Sequence, residues 1–155
     1  MTSPMLSRMH EHLLTMPADS VHRLLANLPH QDTHIWEVFL NFDEAPAMFA
    51  LFCQDQQIKL SDLLRDNRER DRRMESYVVA LLRGGKFIAA PDEESLVLLP
   101  NDRLLMAGAA SSQYRLALTL RDERVLTYVL DGIDRPDGWI WRWFAARKER
   151  KNANN

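Results

Sequence analysis

The stretch SYVVALLRGGKFIAAPDEESLVLLPNDRLLMAGAA, residues 76–110, decides the fold class. Tyr77–Leu82 is short, apolar and bounded by polar residues, which reads as a strand. Arg83-Gly84-Gly85-Lys86 follows, and Gly-Gly supplies the positive φ that a tight hairpin loop requires. Phe87–Ala90 returns as a strand and Pro91-Asp92 ends it. Leu96–Leu99 reads as a further strand, and Pro100-Asn101-Asp102-Arg103 is a turn signal. Leu104–Ala107 completes the set, closed by Gly108, so the expectation is a four-strand meander.

Upstream, THIWEVFLNF (residues 33–42) reads as a strand, with Glu37 on its less buried side. Asp43 through Gln57 favour a helix, and Lys59–Arg65 a second, short one whose Leu60, Leu63 and Leu64 share a face. Residues 62–75 carry five Arg against three Asp and two Glu, which reads as a solvated, net-neutral connection or helix tail. Residues 3–29 read as two helices. Ser3 and Pro4 start the first, Met16-Pro17 ends it, and Val21, Leu24, Leu25 and Leu28 stripe the second. Downstream, Ser111 or Ser112 caps a helix to about Leu120, and Val125–Leu130 reads as a final strand. Trp139–Lys151 reads as a basic amphipathic helix after a turn-rich linker. The class is α+β: a helical hairpin over 1–32, a small mixed or antiparallel β-sheet with flanking helices over 33–131, and a basic tail over 132–155.

Composition narrows the function. Hydrophobic residues at 46% and charged residues at 27% mark a globular chain of 155 residues, long enough to bury a core without staples. A formal charge of −2 gives no support to a general nucleic-acid binder. The lone Cys53 rules out an internal disulfide and a cysteine-based zinc site. Only five glycines occur, and neither G-x-G-x-x-G nor G-x-x-x-x-G-K-[ST] is present, so nucleotide sites built on those loops are set aside. The opening MTSPMLSRMHEHLL lacks a basic n-region before an apolar core and does not read as a signal peptide. No apolar run reaches the roughly 18 residues of a membrane span.

Residues 76–110 resemble the TrkA C-terminal domain, the C-lobe of the RCK domain that regulates potassium conductance. The likeness rests on Arg83 before the Gly84-Gly85 turn, Pro91 after the next strand, a spaced acidic stretch, Asn101-Asp102-Arg103-Leu104, and the closing Gly108. Asn101 stands where that family usually has glycine, and asparagine tolerates the left-handed region well. HIWEVFLNF matches the family's first strand and IKLSDLLRD its following helix, with Glu44–Gln57 as an insertion or longer connection. The helices at 3–29 resemble the crossover helices that join a nucleotide-binding N-lobe to the C-lobe, and no such N-lobe precedes them. The resemblance therefore implies a piece of a longer polypeptide. It also implies a regulatory, ligand-sensing and dimerising module of a potassium channel or uptake system, with no enzymatic activity and no cofactor. Its partners are expected to be a second copy, a membrane pore subunit or domain, and a small nucleotide or ion. Nucleic acid is not expected. Its place is expected at the cytoplasmic face of the inner membrane, touching lipid only through the pore partner or weakly through the tail.

Several residues carry two readings. Arg83, Lys86, Asp102 and Arg103 sit on neighbouring turns and can ring a small anion, or form ordinary solvated turns. Met5, Met9, Met48, Phe49 and Phe52 are candidates for the dimer interface, or for the core. Asp92, Glu93 and Glu94 read as an acidic loop before a divalent-cation site, and Cys53 as a buried structural thiol before a nucleophile. The Trp139–Lys151 segment reads as a packing or protein-interface helix before a membrane-surface one. His10, His12, His22, His30 and His34 show no H-E-x-x-H spacing, and no metal ligand is assigned. Two other classes stay open: a plain protein-interaction or assembly domain, and a histidine-dependent metal-binding protein.

Overall fold

A computed structural model describes residues 33–134 and the single positions Arg147, Arg150, Lys151 and Ala153. The helical hairpin expected over 1–32, and with it Met5, Met9 and His10 through His30, lies outside the described residues, as does most of the tail. The described chain runs β1 (His34–Phe39), α1 (Pro46–Phe52), α2 (Leu60–Leu63), β2 (Ser76–Arg83), β3 (Lys86–Ala89), β4 (Arg103–Gly108), α3 (Ala110–Arg121) and α4 (Glu123–Asp131). The class is α+β, and the sheet is antiparallel throughout.

The strand order is β1-β4-β2-β3, which corrects the expected meander. A meander would leave β4 beside β3. Instead the chain returns across the end of the β2–β3 hairpin and inserts β4 between β1 and β2, where Leu104 through Ala107 are at most 1% exposed. Burial explains the choice. RLLMAG is apolar on both faces, as a central strand needs, whereas β3 alternates half-buried with exposed positions and takes the edge. The hairpin itself forms as read: Gly84 (φ 53°) and Gly85 (φ 81°) make the turn, and Arg83 faces Lys86.

Two other expected strands are absent. Leu96–Leu99 makes a single bridge, Val97 to Lys59, and trades backbone bonds with the 58–60 segment (Leu98 N to Ile58 O, 2.8 Å). Its role is to deliver Leu98 to the core. Val125–Leu130 is helical. Asp122 caps it by accepting from the N–H groups of Arg124 (2.9 Å) and Val125 (3.2 Å), and Gly132 at φ 77° ends it. The β-branched Val125, Thr127 and Val129 obscured the helical spacing of Leu126 and Leu130. The serine cap of α3 is also corrected. Extended Ala109 takes that position, and buried Ser112 donates to Glu75 O (3.1 Å).

All four helices of residues 33–134 face one side of the sheet. The main core joins Val38, Val78, Leu81, Leu104 and Met106 to Met48, Leu51, Leu63, Leu116 and Leu126. A smaller cluster, Val79, Ala80, Leu105 and Ala107, lies on the other side of the sheet. The region 62–75 is more than a solvated connection. Asp66 pairs with Arg115 of α3, and Arg70 donates to Val129 O (3.0 Å) and Leu130 O (2.8 Å) at the end of α4. Arg73 pairs with Glu93. The loop thus ties both later helices and the 92–95 turn to the rest of the fold. Among the described residues no helix is long and apolar enough to cross a membrane.

Gly108 closes β4 because nothing larger fits. A Cβ there would lie 2.4 Å from Glu75 O and 2.8 Å from Ser76 Cα, both backbone atoms. Gly108→Ala should therefore destabilise the fold by about 1–3 kcal/mol, the usual cost of overpacking. A lower urea midpoint at unchanged slope is the expected reading; an unchanged midpoint would show that the β2–β4 contact yields freely.

Candidate functional site

The four residues read as a possible anion ring are divided by the structure. Arg83 and Asp102 meet. Arg83 Nε donates to Asp102 Oδ1 (2.8 Å) and Nη2 to Oδ2 (2.7 Å), the parallel fork that guanidinium and carboxylate favour. Nη2 also donates to Val97 O (2.8 Å), and Asp102 Oδ2 accepts the N–H of Leu99 (2.8 Å). Asp102 is 1% exposed. Hydrogen bonding to this carboxylate raises the Arg83 guanidinium above its already high ordinary pKa. Both groups are spent on joining the hairpin end to the entry of β4.

The other two stand apart from the pair. Lys86 is exposed at the hairpin corner, opposite Arg83 in register. Arg103 stacks its guanidinium 4.3 Å from the centroid of the Phe39 ring, tying β4 to β1. The turn before them has a defined shape. Asp102 N donates to Leu99 O (3.2 Å), Pro100 takes the first inner position, and Asn101 sits at φ 67° in the second. That arrangement fits a type II turn, which calls for glycine or asparagine there.

The candidate interface residues separate similarly. Met48 is 0% exposed and belongs to the core, with no surface to offer a partner. Phe49 and Phe52 are half-buried; Phe52 packs against the core, and Phe49 meets the exposed Phe42 edge-on at 6.0 Å. Cys53 is exposed, correcting the expected burial: α1 stops at Phe52, so the thiol falls beyond the packed face. In the acidic turn Glu93 pairs with Arg73 of the charged loop. Asp92 accepts from Ser95 Oγ (2.7 Å), and that bond holds its carboxyl below the ordinary value. No metal-holding cluster of His, Cys, Asp or Glu occurs among the described residues.

Sequence reading passed over one further feature. A cleft of about 610 Å³ opens between the charged loop, which contributes Asn67 and Arg68, and α4 with its cap, which contribute Asp122, Arg124, Val125 and Tyr128. Asp134 completes the lining and forms a fork with Arg124 (2.7 and 2.9 Å). The only signal was the density of arginine in 65–73, since the misread α4 hid the opposite wall. A scan against models of known protein families finds no match, and a search of curated proteins finds none either.

The hydrogen bonds from Arg124 hold the Asp134 carboxyl below the ordinary 3.8. A lowered folded-state value stabilises above the unfolded pKa and is lost as pH falls through the folded one. A carboxyl NMR titration should place Asp134 below 3.8 and return it there in Arg124→Gln. An ordinary midpoint in the unaltered chain would show the pair does not persist in solution.

Proposed function

We propose that residues 33–131 form a regulatory, non-enzymatic module similar to the TrkA C-terminal domain, acting in potassium transport by pairing with a second copy. The observation that carries this reading is Asn101 at φ 67°. The one marker position where this chain departs from the family's glycine adopts a backbone conformation suited to glycine.

The other markers support it. Arg83 ends β2 and holds Asp102, Gly84 and Gly85 form the turn, Pro91 follows β3, and Gly108 closes β4 against Glu75 and Ser76. The elements also come in the order the resemblance implies: strand, helix, then strands around the hairpin and the Asn101-Asp102 turn.

In this reading a ligand acts through its different affinity for two arrangements of the paired modules, and a connected pore subunit at the cytoplasmic face of the inner membrane follows that shift. Among the described candidate residues, Arg83, Asp102 and Met48 are committed within the chain, which leaves Lys86, Arg103 and the Phe42–Phe49 corner for a partner or ligand.

Light scattering on the whole chain should give twice 18.0 kDa, and a monomer at high concentration would contradict pairing. In-frame deletion of residues 33–131 from the chromosomal copy should change rubidium uptake under potassium limitation. Uptake equal to the parent strain's would sink the transport assignment.

A further inference from the structure

We propose that the cleft between the charged loop and α4 binds a small molecule bearing an oxyanion, and that Asp134 occupies this site as a built-in competitor. The inference stands apart from the potassium reading, because none of the residues lining the cleft carries the resemblance.

At about 610 Å³ the cleft lies within the range of small-molecule sites, roughly 300–1,000 Å³. Its charged groups have distinct duties. Asp122 turns its carboxylate to the backbone, accepting from the N–H groups of Arg124 and Val125 as the helix cap. Arg124 presents a planar fork to Asp134. Across the cleft, the Arg68 guanidinium has no ion pair or hydrogen bond with any described residue. The loop that carries it is anchored, since Arg68 N donates to Asp66 Oδ1 (2.8 Å) and buried Asp66 pairs with Arg115.

The fork that takes the aspartate carboxylate takes a phosphate or another carboxylate by the same geometry. Asp134 thus displays the chemistry the cleft accepts. Both members of its pair are well exposed, at 47% and 66%, so the pair is weak and an incoming oxyanion displaces it. Arg68 then supplies the second cation. Polar groups remain for the rest of the ligand. Asn67 spends its Nδ2 on Arg115 O (3.0 Å) and keeps Oδ1 as an acceptor, and the half-buried Tyr128 phenol has no hydrogen bond among the described residues.

The test titrates the whole chain with inorganic phosphate and, in parallel, acetate, each against sodium chloride at matched ionic strength. Side-chain NMR of the arginines and the melting temperature are the readouts. The expected result is binding beyond chloride, with shifts at Arg68 and Arg124. Asp134→Asn should tighten it about two- to fivefold, the scale of an exposed ion pair, and Arg68→Gln should weaken it at least about tenfold, as loss of a charged hydrogen bond does. Tighter phosphate binding assigns a phosphate-bearing ligand, and tighter acetate binding a carboxylate. No binding beyond chloride in either the unaltered chain or Asp134→Asn overturns the site. So does an Asp134→Asn affinity equal to the parent's, or an Arg68→Gln affinity unchanged.

Discussion

A carboxylate with almost no access to water sits where β4 begins, and among the described residues the only cation bonded to it is Arg83 at the far end of β2. Replacing such a pair with apolar groups is often neutral, while removing one member strands a buried charge. Here the pair fixes placement. Asp102 also receives Leu99 N, Arg83 also holds Val97 O, and the backbones of Asn101 and Asp102 bond Leu40 (2.9 Å each). The crossing segment, the hairpin and β1 are thereby locked to one point, and β4 can enter only between β1 and β2.

A second set of guanidinium contacts does the same for the helical layer. Arg115 reaches back to Asp66, while Arg70 satisfies carbonyl groups at the end of α4 that the helix itself leaves open. The net-neutral charge of 62–75 conceals this, because its arginines divide their partners among separate elements. The cleft beside Arg68 exists because the loop is held in place at Asp66 and Asn67 while the Arg68 side chain projects without a partner among the described residues.

Local chemistry was readable where one or two residues dictate the backbone. Gly84-Gly85 specified the hairpin, and Pro100-Asn101 specified the turn. Strand order was not readable, because it depends on which strands gain most from the two central places, and RLLMAG and SYVVALLR take them together while β1 and β3 hold the edges. Val125–Leu130 was misread because β-branched residues outweighed two short-range signals, Asp122 before the segment and Gly132 after it. Of the candidate site, the sequence places Arg83 and Asp102 on neighbouring turns, but an ion pair and an anion ring use the same residue types. Only geometry separates them. The Phe42–Phe49 corner and the Arg68 cleft each join residues whose proximity depends on tertiary packing.

The most direct measurement is a double-mutant cycle on urea stability using Arg83→Met, Asp102→Leu and the combined variant. If this pair organises the fold, each single change costs about 3 kcal/mol or more and the double costs far less than their sum, a coupling of at least about 2 kcal/mol. Additive losses within about 0.5 kcal/mol would contradict the account. Arg83 and Asp102 would then act independently, and the placement of β4 would need another cause.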